Sequence, residues 1–103
     1  MIGHPVDYQG SLRSFGIGYI EAPLANGDID FGAVESALDD RTGLVFIQRS
    51  RGYTWRPSFS VDKIAKLIKV IRERRGRDVT ILVDNCYGEM VEELEPTQVG
   101  ADL

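Results

Sequence analysis

Apolar positions recur at three spacings along this chain, and each spacing predicts a kind of element. IGYIEAPL, residues 17–24, mixes apolar and β-prone residues between Gly16 and the turn-forming Asn26-Gly27-Asp28, which predicts a strand. From Asp30 the interval changes. Phe31, Val34 and Leu38 fall three and four residues apart, so a helix capped by Asp30 is predicted as far as Asp39 or Asp40, weakened by Gly32. TGLVFIQ, residues 42–48, is a short continuous apolar run of the kind found in strands covered on both faces. Behind Ser60 as N-cap, Ile64, Leu67, Ile68 and Ile71 form a helical stripe, with Phe59 placed to staple onto Ile64 and Lys63, Lys66 and Lys69 turned toward solvent. Gly76 closes that helix and VTILVDN follows as a third strand. A further helical turn over residues 86–93 and the first residues of another strand in PTQVGADL complete the pattern.

The resulting order of strand, helix, strand, helix, strand predicts an α/β fold: a three-layer arrangement with a mostly parallel sheet, right-handed crossovers and flanking helices. At 103 residues the chain has room for about one core, and it carries no repeat, linker or low-complexity segment. Three parallel strands with two helices would leave sheet faces and strand edges poorly covered. Residues 1–103 are therefore expected to be one partial domain, cut out of something larger.

Composition narrows the partners. A hydrophobic share of 43% and a charged share of 27% exclude intrinsic disorder, and a formal charge of −4 argues against general affinity for nucleic acid or an anionic membrane. The basic cluster ERRGR, residues 73–77, is better explained as charge favoured by the dipole at a helix C-terminus. No stretch approaches the roughly 18 apolar residues of a membrane span, and MIGHPVDYQG does not have the form of a signal peptide. Cys86 is the only cysteine, so no internal disulfide is possible and a reducing cytoplasm fits best. One His and one Cys cannot supply the usual zinc ligand sets, so no metal is expected. Small metabolites or other proteins remain as partners.

Candidate chemistry gathers where two apolar strands break into polar residues, at the carboxyl ends where parallel sheets place their ligand crevice. One strand ends in Gln48, Arg49, Ser50, Arg51, Gly52 and Tyr53, the other in Asp84, Asn85, Cys86 and Tyr87. Asp84 or Asn85 either caps the short helix that follows or, as an acid fixed at a buried strand end, Asp84 pairs with a cation on a ligand such as a protonated ring nitrogen. Arg49 and Arg51 either fork onto a phosphate or carboxylate or form structural ion pairs. Tyr53 and Trp55 are expected to pack rather than stack on a ligand. Cys86 is expected to be a buried, inert thiol, since the single histidine, His4, is distant in sequence. Glu89, Glu92, Glu93 and Glu95 read as a solvated acidic face.

Two segments, QRSRGYTWRPS at 48–58 and VDNCYGEMVEELEPTQVGADL at 83–103, resemble the aluminium-resistance or methionine gamma-lyase-like family of pyridoxal-phosphate enzymes, relatives of the cystathionine lyases with the aspartate aminotransferase fold. GSLRSFGI, from Gly10, extends the likeness to nearly the whole chain. The resemblance implies the central part of a cofactor-binding large domain, with pyridoxal 5'-phosphate as cofactor, a sulfur-containing amino acid as substrate and a homo-oligomeric complete protein. It implies that Asp84 faces the pyridine nitrogen with Asn85 beside it, and that Arg49, Ser50, Arg51, Tyr53 and Tyr87 line the substrate pocket. The family carries its Schiff-base lysine just after the VGAD segment, and none of Lys63, Lys66 and Lys69 matches that position. No catalytic residue is therefore assigned within these residues, and the chain is expected to be inactive alone as a carbon–sulfur lyase. The alternative is a non-catalytic α/β module that binds a partner.

Overall fold

The core forms where the apolar stripe of a long helix meets a pair of parallel strands. A computed structural model describes residues 9–103. Its elements are β1 (Leu24–Ala25), β2 (Asp28–Ile29), α1 (Phe31–Ala37), β3 (Leu44–Gln48), α2 (Val61–Arg75) and β4 (Thr80–Asp84), with single 3-10 turns at Leu12–Phe15 and Pro96–Val99. They make a small α/β unit of two short two-stranded sheets and two helices. His4 lies outside the described residues.

The second helix forms as its pattern predicts. The Ser60 hydroxyl accepts from the Lys63 N–H at 3.2 Å, satisfying one of the donors a helix start leaves free. Gly76, at φ 60°, ends the helix by donating its N–H to the Arg72 carbonyl at 2.8 Å. Between them Ile64, Leu67, Ile68 and Ile71 are buried against Ile47, Val79, Ile81 and Val83, and Phe59 joins the same cluster beside Ile64. Lys66 and Lys69 face solvent, whereas Lys63 is half-buried and pairs with Asp28 at 2.6 Å.

β3 and β4 pair in parallel with Val45 opposite Ile81, Ile47 opposite Val83 and Gln48 opposite Asp84. Side chains alternate along a strand, so Val45, Ile47, Ile81 and Val83 share the face toward α2. Leu44 and Phe46 point the other way and are each 52% exposed. This corrects the expectation that the first of these runs is covered on both faces. The reason is that α1 contacts α2 and packs Phe31 and Val34 on the same core, so both helices lie on one side of the sheet.

The strand predicted at 17–24 is also not found. Asn26 and Gly27 adopt left-handed conformations, φ 51° and 78°, and close a two-residue hairpin that pairs Leu24 with Ile29 and Ala25 with Asp28. Pro23 has no N–H with which to extend that ladder backward. Among the described residues, paired strands in the expected parallel order are β3 and β4. α1 stops at Ala37, short of the predicted end, because Asp39 turns its carboxylate onto the Arg41 N–H and the Thr42 hydroxyl at 2.9 and 3.1 Å, a local bonding pattern that competes with helix.

Residues 86–93 form turns instead of the helical turn expected there. After Pro96–Val99 the chain does reach the sheet: the Leu103 N–H donates to the Ile81 carbonyl at 3.2 Å and the Val83 N–H to the Leu103 carbonyl at 2.9 Å. That alternation is the bonding of a parallel strand on the edge of β4 away from β3, so β4 is bonded on both sides.

Ile64 has no exposed surface. Ile64→Ala is expected to cost about 2–5 kcal/mol of unfolding free energy, a large share of the roughly 5–15 kcal/mol of a typical domain. Urea unfolding checks this, and a loss under about 1 kcal/mol would contradict the packing described.

Candidate functional site

Parallel pairing brings the polar ends of β3 and β4 together. The Arg49 N–H donates to the Asp84 carbonyl at 3.1 Å, one residue beyond the last paired position. What the strands deliver there, however, is a buried guanidinium.

Arg49 is 4% exposed. Its Nε donates to the Phe59 carbonyl at 3.2 Å, one Nη to the Asn85 side-chain oxygen at 2.6 Å and the Gly88 carbonyl at 2.8 Å, and the other Nη pairs with the Glu92 carboxylate at 3.3 Å. Of the two roles open to Arg49 in the sequence, the internal one is what this geometry displays: all three guanidinium nitrogens are engaged by the protein itself. A buried charge held this way is costly to strand, about 3–5 kcal/mol when one partner is removed.

The acidic residues are not a uniformly solvated face. Both oxygens of Glu92 accept from the Val61 N–H, at 2.7 and 2.9 Å, at the start of α2. Glu95 accepts from the Asn85 amide at 2.7 Å and the Met90 N–H at 2.8 Å. These bonds, with the Arg49 charge contributing least, hold the Glu95 carboxyl below its ordinary range. Glu89 and Glu93 are exposed, as expected. The turn so held contains two non-glycine residues in the left-handed region, Tyr87 at φ 66° and Met90 at φ 59°. Gly88 between them leaves room for the knot: a Cβ there would lie 2.5 Å from both the Arg49 Nη and the Asn85 oxygen, so those side chains would have to shift.

Around this knot lies a cleft of about 130 Å³, lined by Arg49, Ser50 and Ser58 from the β3 side and by Cys86, Tyr87, Gly88 and Val91 from the β4 side. Cys86 is exposed, which corrects the expectation of a buried thiol. Tyr87 is exposed as well. Arg51 and Tyr53 do not reach the cleft. They stand on a solvent-facing loop in which the Thr54 hydroxyl donates to the Arg51 carbonyl at 2.6 Å. Tyr53 and Trp55 are fully exposed, so neither packs as expected within the described residues. The loop is held by Arg56, which donates to the Gln48, Ser50 and Pro57 carbonyls at 3.0, 2.6 and 3.0 Å and lies 4.2 Å from the centroid of the Phe59 ring. A larger cleft, about 240 Å³, sits at the far end of α2 between Leu38, Asp39, Asp40, Arg74 and Arg75 and contains none of the candidate residues.

Asp84 stands apart from the smaller cleft. Paired with Gln48, it shares the sheet face of Phe46 and Leu82, opposite to α2. One carboxylate oxygen accepts from the Cys86 N–H at 3.0 Å, which caps a turn where the sequence suggests the cap of a short helix. Among the described residues no donor reaches the other oxygen. The residues present thus fit the ring-nitrogen end of pyridoxal phosphate, a carboxylate fixed at a strand end with one oxygen open, and supply no recognisable cradle for its phosphate.

The methionine gamma-lyase family model matches residues 1–103. The chain belongs to the methionine gamma-lyase family. Among family relatives, YnbB of Bacillus subtilis is 48% identical over 95 residues, 91% of this chain and 22% of YnbB. A crystal structure of a candidate cystathionine beta-lyase involved in aluminium resistance, from Listeria monocytogenes, superposes with a TM-score of 0.87 at 48% identity, covering 91% of this chain and 24% of that one. A carbon–sulfur lyase involved in aluminium resistance from Clostridium novyi gives 0.83 at 34% identity, covering 98% and 27%. This member of the methionine gamma-lyase family therefore spans about a quarter of the length of these relatives.

The residues missed in the sequence, Arg56, Gly88, Glu92 and Glu95, act in part through partners as far as 43 positions away, and no periodicity encodes such distances. Gly88→Ala is expected to force the Arg49 and Asn85 side chains apart and cost about 1–3 kcal/mol, read by urea unfolding. A neutral substitution would contradict the packing. Because the Glu95 carboxyl is held below its ordinary value, the contribution of its bonds is complete above the ordinary carboxylate range and is lost as pH falls through the lower folded value. The Met90 amide resonance should follow that titration with a midpoint below 4.5, and a midpoint at or above 4.5 would contradict it.

Proposed function

We propose that residues 1–103 are the central part of the cofactor-binding large domain of a pyridoxal-phosphate-dependent carbon–sulfur lyase acting on a sulfur-containing amino acid. The observation that carries this reading is Asp84, a carboxylate with one open oxygen at the end of the strand bonded on both sides, in a chain of this family. In the complete protein the sheet is proposed to be larger, mostly parallel and covered on both faces. The half-exposed Leu44 and Phe46 would then be interior, on the face that carries Asp84.

When bound, pyridoxal phosphate supplies a ring that accepts electrons from the substrate's α-carbon. Asp84 would face the ring nitrogen and favour its protonated form by its negative charge, and the Cys86 N–H fixes the orientation of that carboxylate. Asn85 is proposed to steady the site through its side chain, which is held between Arg49 and Glu95. Ser50 and Tyr87, which line the smaller cleft, and Arg51 and Tyr53, on the loop beyond it, are proposed to meet the substrate. The three lysines are already paired along or beside α2: Lys63 with Asp28, Lys66 with Asp62 and Lys69 with Glu73. None is proposed to join the cofactor. The complete protein is proposed to be a cytoplasmic homo-oligomer. No helix among the described residues is long and apolar enough to cross a membrane.

In the complete lyase, Asp84→Ala is expected to lower turnover by at least a hundredfold with the fold retained, since a neutral residue leaves the ring nitrogen unprotonated. Steady-state elimination of thiol from a sulfur amino acid checks this, and a fully active variant overturns the assignment. In the chain itself, borohydride treatment with pyridoxal phosphate is expected to give no site-specific adduct. A stoichiometric adduct at Lys63, Lys66 or Lys69 would contradict the reading of those lysines.

A further inference from the structure

Glu92 stands at a junction of three parts of the molecule. Its carboxylate takes the first N–H of α2 with both oxygens, and one of those oxygens also pairs with the Arg49 guanidinium. Arg49 in turn holds the Asn85 side chain and the Gly88 carbonyl, and its own N–H holds the Asp84 carbonyl. A carboxylate at a helix start is favoured by the free N–H groups and dipole there, and a guanidinium orients a carboxylate more sharply than a point charge does. The two effects reinforce each other on one side chain.

What this junction holds in place is a turn that resists its own shape. Tyr87 and Met90 sit at positive φ, and side chains other than glycine occupy that region only when their surroundings compel it. Both residues are almost wholly exposed, so packing of their own side chains does not compel it. The polar grip on Asn85, Gly88 and Met90 does.

We infer that Glu92 is a positioning residue for the proposed site: by locking the Arg49 guanidinium between the start of α2 and the turn after β4, it fixes the left-handed turn that orients Asp84 and presents Tyr87. The consequence for Asp84 rests on the lyase reading, whereas the lock itself is independent of any cofactor. Glu92 touches neither Asp84 nor the cleft, and it acts through Arg49.

The test uses the chain as it is, without cofactor. Glu92→Gln keeps an oxygen for the Val61 N–H but removes the charge that orients Arg49. By amide hydrogen exchange, the Gly88 and Cys86 N–H groups are expected to exchange at least tenfold faster in this variant. The Ile71 and Val83 N–H groups, in the middle of the helix and in the sheet, are expected to be unchanged. The Cys86 amide resonance, set by its bond to Asp84, is expected to move. Glu93→Gln, at the exposed neighbouring position, is expected to alter none of these. Unchanged exchange at Gly88 and Cys86 would overturn the inference, and so would equal acceleration at all four amides, which would make Glu92 a contributor to global stability alone. Failure of the Asp84 assignment is seen separately, as retained turnover of Asp84→Ala in the complete lyase with the exchange result intact.

Discussion

The site end of the molecule depends on where the charge of Arg49 goes. A guanidinium that is almost fully buried must be met on every side, because a stranded buried charge costs more than the domain can readily lose. The chain meets it with the Phe59 carbonyl, the Asn85 amide oxygen, the Gly88 carbonyl and the Glu92 carboxylate, drawn from the segment before α2 and the turn after β4. Those segments are brought together by one cation. The parallel pairing of β3 and β4 sets the distance across which it works, and the absence of a side chain at Gly88 provides the room.

This arrangement separates support from chemistry. The face of the sheet toward α2 carries the apolar core and, at its end, the Arg49 knot. The opposite face carries Leu44, Phe46 and Asp84. A carboxylate at the end of β4 is therefore mounted on a strand whose far side is fully packed and whose two edges are bonded, one to β3 and the other to Leu103. Rigid mounting of that kind is what a group needs if it is to hold a ligand charge in a fixed place.

Much of the fold could be read in the sequence because local rules decide it. Ser60, the stripe from Ile64 to Ile71 and Gly76 place α2 to the residue, and the apolar runs ending at Gln48 and Asp84 place β3 and β4. The strand predicted at 17–24 does not form because residues 17–23 have strand composition but no pairing partner among the described residues, and the Asn26-Gly27 turn pairs only two residues on each side. At the site, the VDN break marks where β4 ends, at Asp84. Glu92 and Glu95 looked like solvated acids because their partners, Val61, Arg49 and Asn85, are set by the tertiary fold. Arg49 and Arg51 looked alike in the sequence. β3 ends at Gln48 and its bonding to β4 reaches one residue further, to Arg49, which turns inward, whereas Arg51 stands on the solvent-facing loop.

The most direct test of this account is the state of the Arg49 side chain in solution, read from the Nη–H resonances of the guanidinium at neutral pH. A guanidinium gripped at every nitrogen should give separate, slowly exchanging Nη–H signals, in contrast to the averaged signal of Arg41, whose side chain is 89% exposed. Separate signals with contacts to Gly88 and Asn85 would establish the knot as described. An averaged Arg49 signal indistinguishable from that of Arg41 would contradict it.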